Sequence, residues 1–138
     1  MNITSLPYGN STEVALDVPA AIARAKELLA EQGFGVLCEI DVAATLRAKL
    51  GAEIGEYVIL GACRPDAART ALAAEPDLGL LLPCNVLVRR AQGRTTVGVI
   101  DAGAMLGIVG NDALAPLAAD INGRLAAVLR GFERAAAH

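Results

Sequence analysis

Histidine and aromatic residues are nearly absent from this sequence of 138 residues. Its single histidine is the last residue, His138, and the aromatic side chains are two tyrosines and two phenylalanines, with no tryptophan. Without an imidazole in the body of the chain, a Ser-His-Asp or Cys-His catalytic centre cannot form unless the tail folds back. Histidine-based zinc and haem sites are excluded for the same reason. The few aromatic rings cannot form a base-stacking platform for nucleic acid.

The sequence also lacks a strong excess of charge and a long apolar run. Its formal net charge is −3, which provides no electrostatic footprint for nucleic acid. No apolar run reaches the ~18 residues of a membrane span, and residues 1–11 contain neither a charge nor the apolar region of a signal peptide. We therefore expect a cytoplasmic protein that binds neither nucleic acid nor a membrane.

Hydrophobic residues are abundant and make up 54% of the sequence. A chain of this length can bury roughly two thirds of its unfolded surface without a disulfide or a metal, so residues 1–138 are expected to form a single domain. The three cysteines cannot all pair within one chain. Because no export signal is recognised, free thiols in a reducing cytosol are expected.

The hydrophobic pattern predicts strands and helices in alternation. Strands are predicted at 11–16, 34–40, 57–62 and 97–100, with another in the apolar run 78–88, which Pro83 interrupts. Helices are predicted at 18–32, at 42–50 between an Asp41 cap and Gly51, at 65–75, and from about 112 to a mobile tail at 138. The glycine-rich segment 103–110 is expected to be a flexible loop.

A hairpin centred on residues 92–93 defines a register between two strands. That register brings apolar residues together on one face, pairing Val88 with Val97 and Val86 with Val99. It would also place Cys84 opposite Asp101. The hairpin and the long final helix favour an α+β fold, a two-layer sandwich of a mostly antiparallel sheet with helices on one face.

Cys63 lies where a predicted strand ends and a predicted helix begins. The helix N-terminus and the neighbouring Arg64 would both favour the thiolate, which makes Cys63 a candidate reactive or anion-facing residue. The alternative is that Cys63 is a small apolar residue packed at a tight junction.

Cys84 and Asn85 form a polar pair inside an apolar segment. One interpretation is a pocket wall on which Cys63, Cys84, Asn85 and Asp101 converge. The other is a strand bulge in which the Asn85 side chain satisfies the backbone. No metal or cofactor is expected, because the two cysteines and Asp101 supply at most three ligands without a C-x-x-C spacing.

The third cysteine, Cys38, has a different pattern. It shares a period-two face with Phe34, Val36 and Ile40. We therefore predict that Cys38 is a thiol of the hydrophobic core.

Two motifs carry the other cysteines: Gly61-Ala62-Cys63-x-Pro65 and Leu82-Pro83-Cys84-Asn85-Val86. With them, nearly the whole chain resembles the bacterial and archaeal family called domain of unknown function 302. The resemblance implies a compact two-layer α+β domain with TATA-binding-protein-like architecture, usually a homodimer, and no established enzyme activity. The chain departs from the family pattern at Arg64, where asparagine is often found, and at Ala102, where proline is common.

Three functions therefore remain open. The first is a dimeric module that binds a small molecule or a thiol ligand near its candidate site residues, Cys63, Arg64, Cys84, Asn85 and Asp101. The second is a structural dimer without a ligand site. The third is a thiol-dependent redox sensor or enzyme in which Cys63 reacts and Cys84 resolves. The lack of a general base favours the ligand-binding module and argues against catalysis.

Overall fold

The structure, a computed structural model, describes residues 2–136. Its strands are β1 (Ile3–Leu6), β2 (Gly9–Val14), β3 (Gly35–Asp41), β4 (Tyr57–Cys63), β5 (Cys84–Ala91) and β6 (Arg94–Ile100). Its helices are α1 (Val18–Glu31), α2 (Val42–Leu50), α3 (Pro65–Ala74), α4 (Ala102–Gly107) and α5 (Ala115–Ala136). Short 3-10 turns at Pro76–Leu80 and Asp112–Leu114 precede β5 and α5. The tail proposed to be mobile at 138 lies outside the described residues.

The strands form one antiparallel sheet in the order β1-β2-β6-β5-β4-β3. Alternate apolar residues of its central strands are buried on one face: Val58, Leu60, Val86, Val88, Val97 and Val99. Helices α1 and α5 pack on this face through buried leucines: Leu28, Leu29, Leu125 and Leu129. This arrangement confirms the α+β sandwich.

Aspartate side chains cap the N-termini of three helices, α1, α2 and α4. Asp17, Asp41 and Asp101 each accept a hydrogen bond from the backbone N–H three residues further on, at 2.8, 2.9 and 3.1 Å. Each bond satisfies a helical N–H that has no partner within its helix. Asp17 and Asp41 act as the sequence predicts. Asp101, in contrast, caps a helix within the segment that we expected to be a loop.

The hairpin between β5 and β6 has the predicted register. Gln92 and Gly93 both have positive φ, 54° and 73°, as a two-residue type I′ turn requires. The turn pairs Val88 with Val97 and Val86 with Val99. The extension of this register to Cys84 and Asp101 was wrong, because β6 ends at Ile100 and the chain then turns into α4.

Cys38 does not belong to the core. The side chain is exposed, and the reason is a β-bulge between Val36 and Cys38. Because a bulge inserts an extra residue, the strand changes the face that it presents. Val36 pairs with Ala62, whose side chain lies on the helix-covered face. Cys38 pairs with Gly61. Because Gly61 is adjacent to Ala62 in β4, it lies on the opposite face of the sheet, and so does Cys38.

The N-terminal segment differs from the sequence-based expectation in a similar way. The strand predicted at 11–16 is β2, which runs from Gly9 to Val14, and the preceding strand β1 was not predicted. Strand β1 is exposed along its whole length, so its residues do not show the alternation that a half-buried strand produces. The last helix likewise begins at Ala115 rather than at 112, after a single 3-10 turn.

Candidate functional site

An apolar cavity of about 270 Å³ lies on the helix-covered side of the sheet, at the ends of β4 and β5. Helices α3, α4 and α5 form its other walls. The residues that face it are nearly all apolar, among them Phe34, Ala68, Ala71, Leu78, Met105, Leu106, Leu117 and Ile121. Cys63, Arg64 and Cys84 also line this cavity.

Antiparallel pairing brings the end of β4 and the start of β5, which carry the two cysteines, to the same part of the sheet. Ala62 of β4 pairs directly with Cys84 of β5, and Cys63 is the next residue after Ala62. Cys84 is buried at the first position of its strand, while Cys63 is half-buried just before α3. Cys63 and Cys84 thus both line this cavity, and both are free thiols.

Arg64 lies at the edge of the cavity, with a side chain only 13% exposed. Its guanidinium donates to Asp120 of α5 at 2.6 Å and to Asp66 of α3 at 3.0 Å. The Nε atom is buried and has no partner among the described residues. The charge of Arg64 is thus used to join α3 to α5, rather than left free beside Cys63.

Asn85 does not join this group. Regular alternation along β5 places adjacent residues on opposite faces of the sheet. Cys84 accordingly lies on the helix-covered face, while Asn85 is exposed and lines a groove on the opposite face. The predicted convergence of Asn85 with the two cysteines was wrong.

Asp101 does not reach the cavity either. Its Oδ1 accepts hydrogen bonds from the Asn122 side chain at 3.0 Å and from the Ala104 N–H at 3.1 Å. The bond from Asn122, with help from the Ala104 N–H, lowers the pKa of the Asp101 carboxyl. Asn122 in turn accepts from the Ala102 N–H at 2.7 Å. Asp101 therefore caps α4 and ties it to α5, which is a structural role.

Met105 and Leu106 are site residues that the sequence analysis missed. Both are buried on α4 and face the cavity. The three glycines between 103 and 110 favoured a loop in this segment. The sequence signal that could have indicated this helix is Asp101, because aspartate is a favoured N-cap residue. In the structure its side chain accepts a hydrogen bond from the Ala104 N–H.

Burial and the nearby Cys63 thiol raise the pKa of Cys84 from 9.0 to about 11. Desolvation is the larger cause, because it penalises the charged thiolate in an apolar wall. Cys84 therefore remains a neutral thiol at physiological pH, and it contributes a polarizable, weakly polar surface to the cavity.

We expect Cys84 to resist alkylation by iodoacetamide in the folded protein at pH 8, while the exposed Cys38 is accessible to the reagent. With a pKa of about 11, only about one Cys84 in a thousand is a thiolate at pH 8. Peptide mass spectrometry measures the modification of each cysteine. In the control variant Cys38→Ser the labelling of Cys84 should remain as slow as in the unchanged protein. Equal labelling of Cys84 and Cys38 would contradict the buried position of Cys84.

Within residues 2–136, no three histidine, cysteine, aspartate or glutamate side chains are grouped so that they could hold a metal ion. None of the helices in the same residues is long and apolar enough to cross a membrane.

Known proteins show the same fold and family. The model of the domain of unknown function DUF302 matches residues 10–132. The crystal structure of an uncharacterized conserved DUF302 protein from Bacillus stearothermophilus is 34% identical in sequence, with a TM-score of 0.82 over 88% of this chain and 94% of that chain. No curated protein matches the chain significantly. The match over most of its length shows that this chain belongs to the DUF302 family.

Proposed function

We propose that this protein binds a small, mostly apolar molecule in the cavity beside Cys63 and Cys84. The observation that carries the proposal is the cavity itself, whose walls are apolar side chains from the sheet and from three helices. An apolar space of this size is the usual form of a small-molecule site.

The size of the cavity limits the ligand. An apolar cavity of about 150 Å³ accepts benzene, so the volume of about 270 Å³ suits a molecule of one or two rings or a short branched chain. The pocket opens to solvent beside Leu37 and Leu72, which are 67% and 39% exposed. A ligand of this size would displace water from the apolar walls, which is favourable.

The charge at the cavity edge points to a neutral ligand. Arg64 is already paired with Asp66 and Asp120, and Arg124 bonds to the same Asp120. Two cations and two carboxylates therefore balance one another. A charged ligand would have to leave water without gaining an unpaired counter-ion, which is unfavourable in an apolar site.

Indole is a suitable probe, because the chain contains no tryptophan and indole fluorescence then reports the ligand alone. We expect a Kd of about 0.1 mM, from roughly 0.6 kcal/mol for each heavy atom of the probe. The variant Ala68→Leu should weaken binding at least tenfold, because the added side chain occupies the cavity that Ala68 lines.

Ala73→Leu is the matched control, because it makes the same change on the exposed side of α3. Its indole affinity should equal that of the unchanged protein. If indole does not bind below millimolar concentration, or if Ala68→Leu and Ala73→Leu bind it equally, the cavity is not the site. The purely structural hypothesis would then be preferred.

The redox alternative receives less support from the geometry. It required Arg64 to favour a Cys63 thiolate, and Arg64 is instead held by two carboxylates. Its proposed resolving residue, Cys84, is neutral at physiological pH because burial raises its pKa. Ligand binding requires neither thiol to ionise.

We also propose that the protein is a homodimer, with a second copy packed on the sheet face opposite the helices. That face has an apolar groove lined by Leu6, Tyr8, Ile59, Leu87 and Ile100, and Leu6 and Tyr8 are 41% and 67% exposed. Two sheets can pack face to face about 10 Å apart. Around a two-fold axis the same groove of both copies would then form the interface.

Sedimentation at micromolar concentration tests the dimer. The unchanged protein should sediment as a dimer and Leu87→Glu as a folded monomer, because a charge would be buried at the centre of the interface. Leu80→Glu is the control, since Leu80 is 88% exposed and does not line this groove. A monomeric unchanged protein, or a dimer that Leu80→Glu alone disrupts, would rule out this interface.

A further inference from the structure

Helix α4 is the shortest of the three helices around the cavity and the least able to form by itself. It has six residues, Ala102–Gly107, and both Gly103 and Gly107 belong to it. A helix of this length is unstable in isolation, because nucleation is costly, and glycine weakens it further. Met105 and Leu106 of α4 are nevertheless buried and face the cavity. Contacts from outside α4 must therefore fix this wall.

Asn122 of α5 supplies such a contact with both ends of its side-chain amide. Its Oδ1 accepts a hydrogen bond from the Ala102 N–H at 2.7 Å, and its Nδ2 donates to Asp101 Oδ1 at 3.0 Å. The same Asp101 oxygen accepts from the Ala104 N–H at 3.1 Å. One side chain thus binds an N–H of the first helical turn, which has no partner within the helix, and also the aspartate that caps this turn.

We propose that Asn122 is a positioning residue of the ligand site, because by fixing α4 it keeps Met105 and Leu106 against the bound molecule. This inference rests on the proposed function, since it concerns the affinity of the same cavity. Asn122 itself is not among the residues that line the cavity, so it acts through α4. Its helix α5 is a suitable support, because Leu117 and Ile121 of α5 form the adjoining wall.

The close fit at the start of α4 supports this role. A Cβ at Gly103 would lie 3.1 Å from Asp101 Oδ1 and 3.6 Å from Asn122 Nδ2. The lack of a side chain at Gly103 therefore lets these hydrogen bonds close over the first turn. At Gly107, in the last turn of the same helix, a Cβ would meet nothing within 4 Å. The need for glycine is thus confined to the end that Asn122 holds.

Asn122→Asp tests the proposal, because it keeps an oxygen for the Ala102 N–H but replaces the donor to Asp101 by a second carboxylate. The two like charges repel each other, so α4 should leave its place in part of the molecules. The apparent Kd for indole rises as the competent fraction falls, and we expect about tenfold weaker binding. Gly123→Asp is the matched control, since it places the same charge on the exposed neighbouring residue. Its indole affinity should not change.

Gly55→Ala distinguishes positioning from a general loss of stability. Gly55 has a φ of 83°, and a Cβ there would lie 2.8 Å from the Arg90 carbonyl oxygen, so alanine is strained at this position. The strain lies before the start of β4, at the opposite end of this strand from the cavity. Gly55→Ala should therefore have a lower Tm and still bind indole like the unchanged protein. If it lost as much affinity as Asn122→Asp, Asn122 would only stabilise the fold.

The pair Gly103→Ala and Gly107→Ala repeats the comparison without a new charge. Both replace a glycine of α4 by alanine, but only the first crowds Asp101 Oδ1. Gly103→Ala should bind indole more weakly than Gly107→Ala. Equal affinities of the two variants would contradict the proposal even if Asn122→Asp did not fold.

Hydrogen exchange of the Met105 N–H reports the position of α4 without a ligand. This N–H donates to the Asp101 carbonyl oxygen at 3.1 Å, so it exchanges when α4 opens. Its exchange should be about tenfold faster in Asn122→Asp and unchanged in Gly55→Ala. Unchanged exchange or unchanged indole affinity in Asn122→Asp would overturn the proposal. Failure of indole to bind the unchanged protein would instead count against the proposed function, and the exchange rates would still decide whether Asn122 holds α4.

Discussion

Gly131→Val is expected to lower the free energy of unfolding by about 2–3 kcal/mol. Gly131 is buried on α5, where this helix meets α1. A Cβ at this position would overlap the Leu28 side chain, with Leu28 Cδ1 and Cγ at only 3.0 and 3.1 Å. Leu28 is 1% exposed, so it has no open space into which it could move, and overpacking of this kind costs about 1–3 kcal/mol.

Thermal unfolding measures this effect, with an expected decrease of roughly 8–12 °C in Tm. Gly123→Ala is a matched control on the same helix, because Gly123 is exposed and a Cβ there meets nothing within 4 Å. It should raise stability by about 0.5–1 kcal/mol, since alanine has the higher helix propensity. If Gly131→Val were as stable as Gly123→Ala, α1 and α5 would not pack as closely as described.

Gly61→Val is expected to cost about 2 kcal/mol, for a reason that depends on the β-bulge. A Cβ at Gly61 would stand 2.6 Å from Cys38 Sγ and 2.8 Å from Pro83 Cγ. The bulge brings Cys38 to this position, because it pairs Cys38 with Gly61. Without the bulge, Cys38 would lie with Val36 on the other face.

A double-mutant cycle with Cys38→Ala isolates that contact. Removing the sulfur should reduce the cost of Gly61→Val by about 0.5–1 kcal/mol, while the Pro83 contact retains the remainder. Chemical denaturation of the four proteins gives the coupling free energy. Strict additivity of the two substitutions would contradict the pairing of Cys38 with Gly61.

Elements whose residues alternate or recur regularly could be predicted from the sequence. The hairpin at residues 92–93 is one example, because a tight turn and two rows of valine leave only one register that buries them together. The caps at Asp17 and Asp41 are others, because each aspartate comes just before an apolar pattern of helical period.

The bulge in β3 could not be predicted in this way. The apolar alternation of Phe34, Val36, Cys38 and Ile40 continues unbroken in the sequence, and only pairing with β4 shows that one residue is inserted. Helix α4 was missed for a different reason. Its glycines have low helix propensity, and contact with α5 through Asn122 outweighs that cost.

The candidate site was predicted in part. The cysteine motifs indicated Cys63 and Cys84, and the fold brings both to one cavity. Asn85 could have been separated from Cys84 by strand alternation alone, because adjacent residues of a regular strand face opposite ways. Met105 could not be assigned, since its place at the cavity depends on how α4 packs in three dimensions.

We propose that a small molecule can enter the apolar cavity beside Cys63 and Cys84. A crystal of the protein under xenon pressure tests this most directly, because xenon enters dry apolar cavities and scatters anomalously. We predict a xenon peak bounded by Cys63, Cys84 and Met105, and no such peak in Ala68→Leu. Xenon found only in the groove on the opposite face of the sheet, with none beside the two cysteines, would contradict the claim.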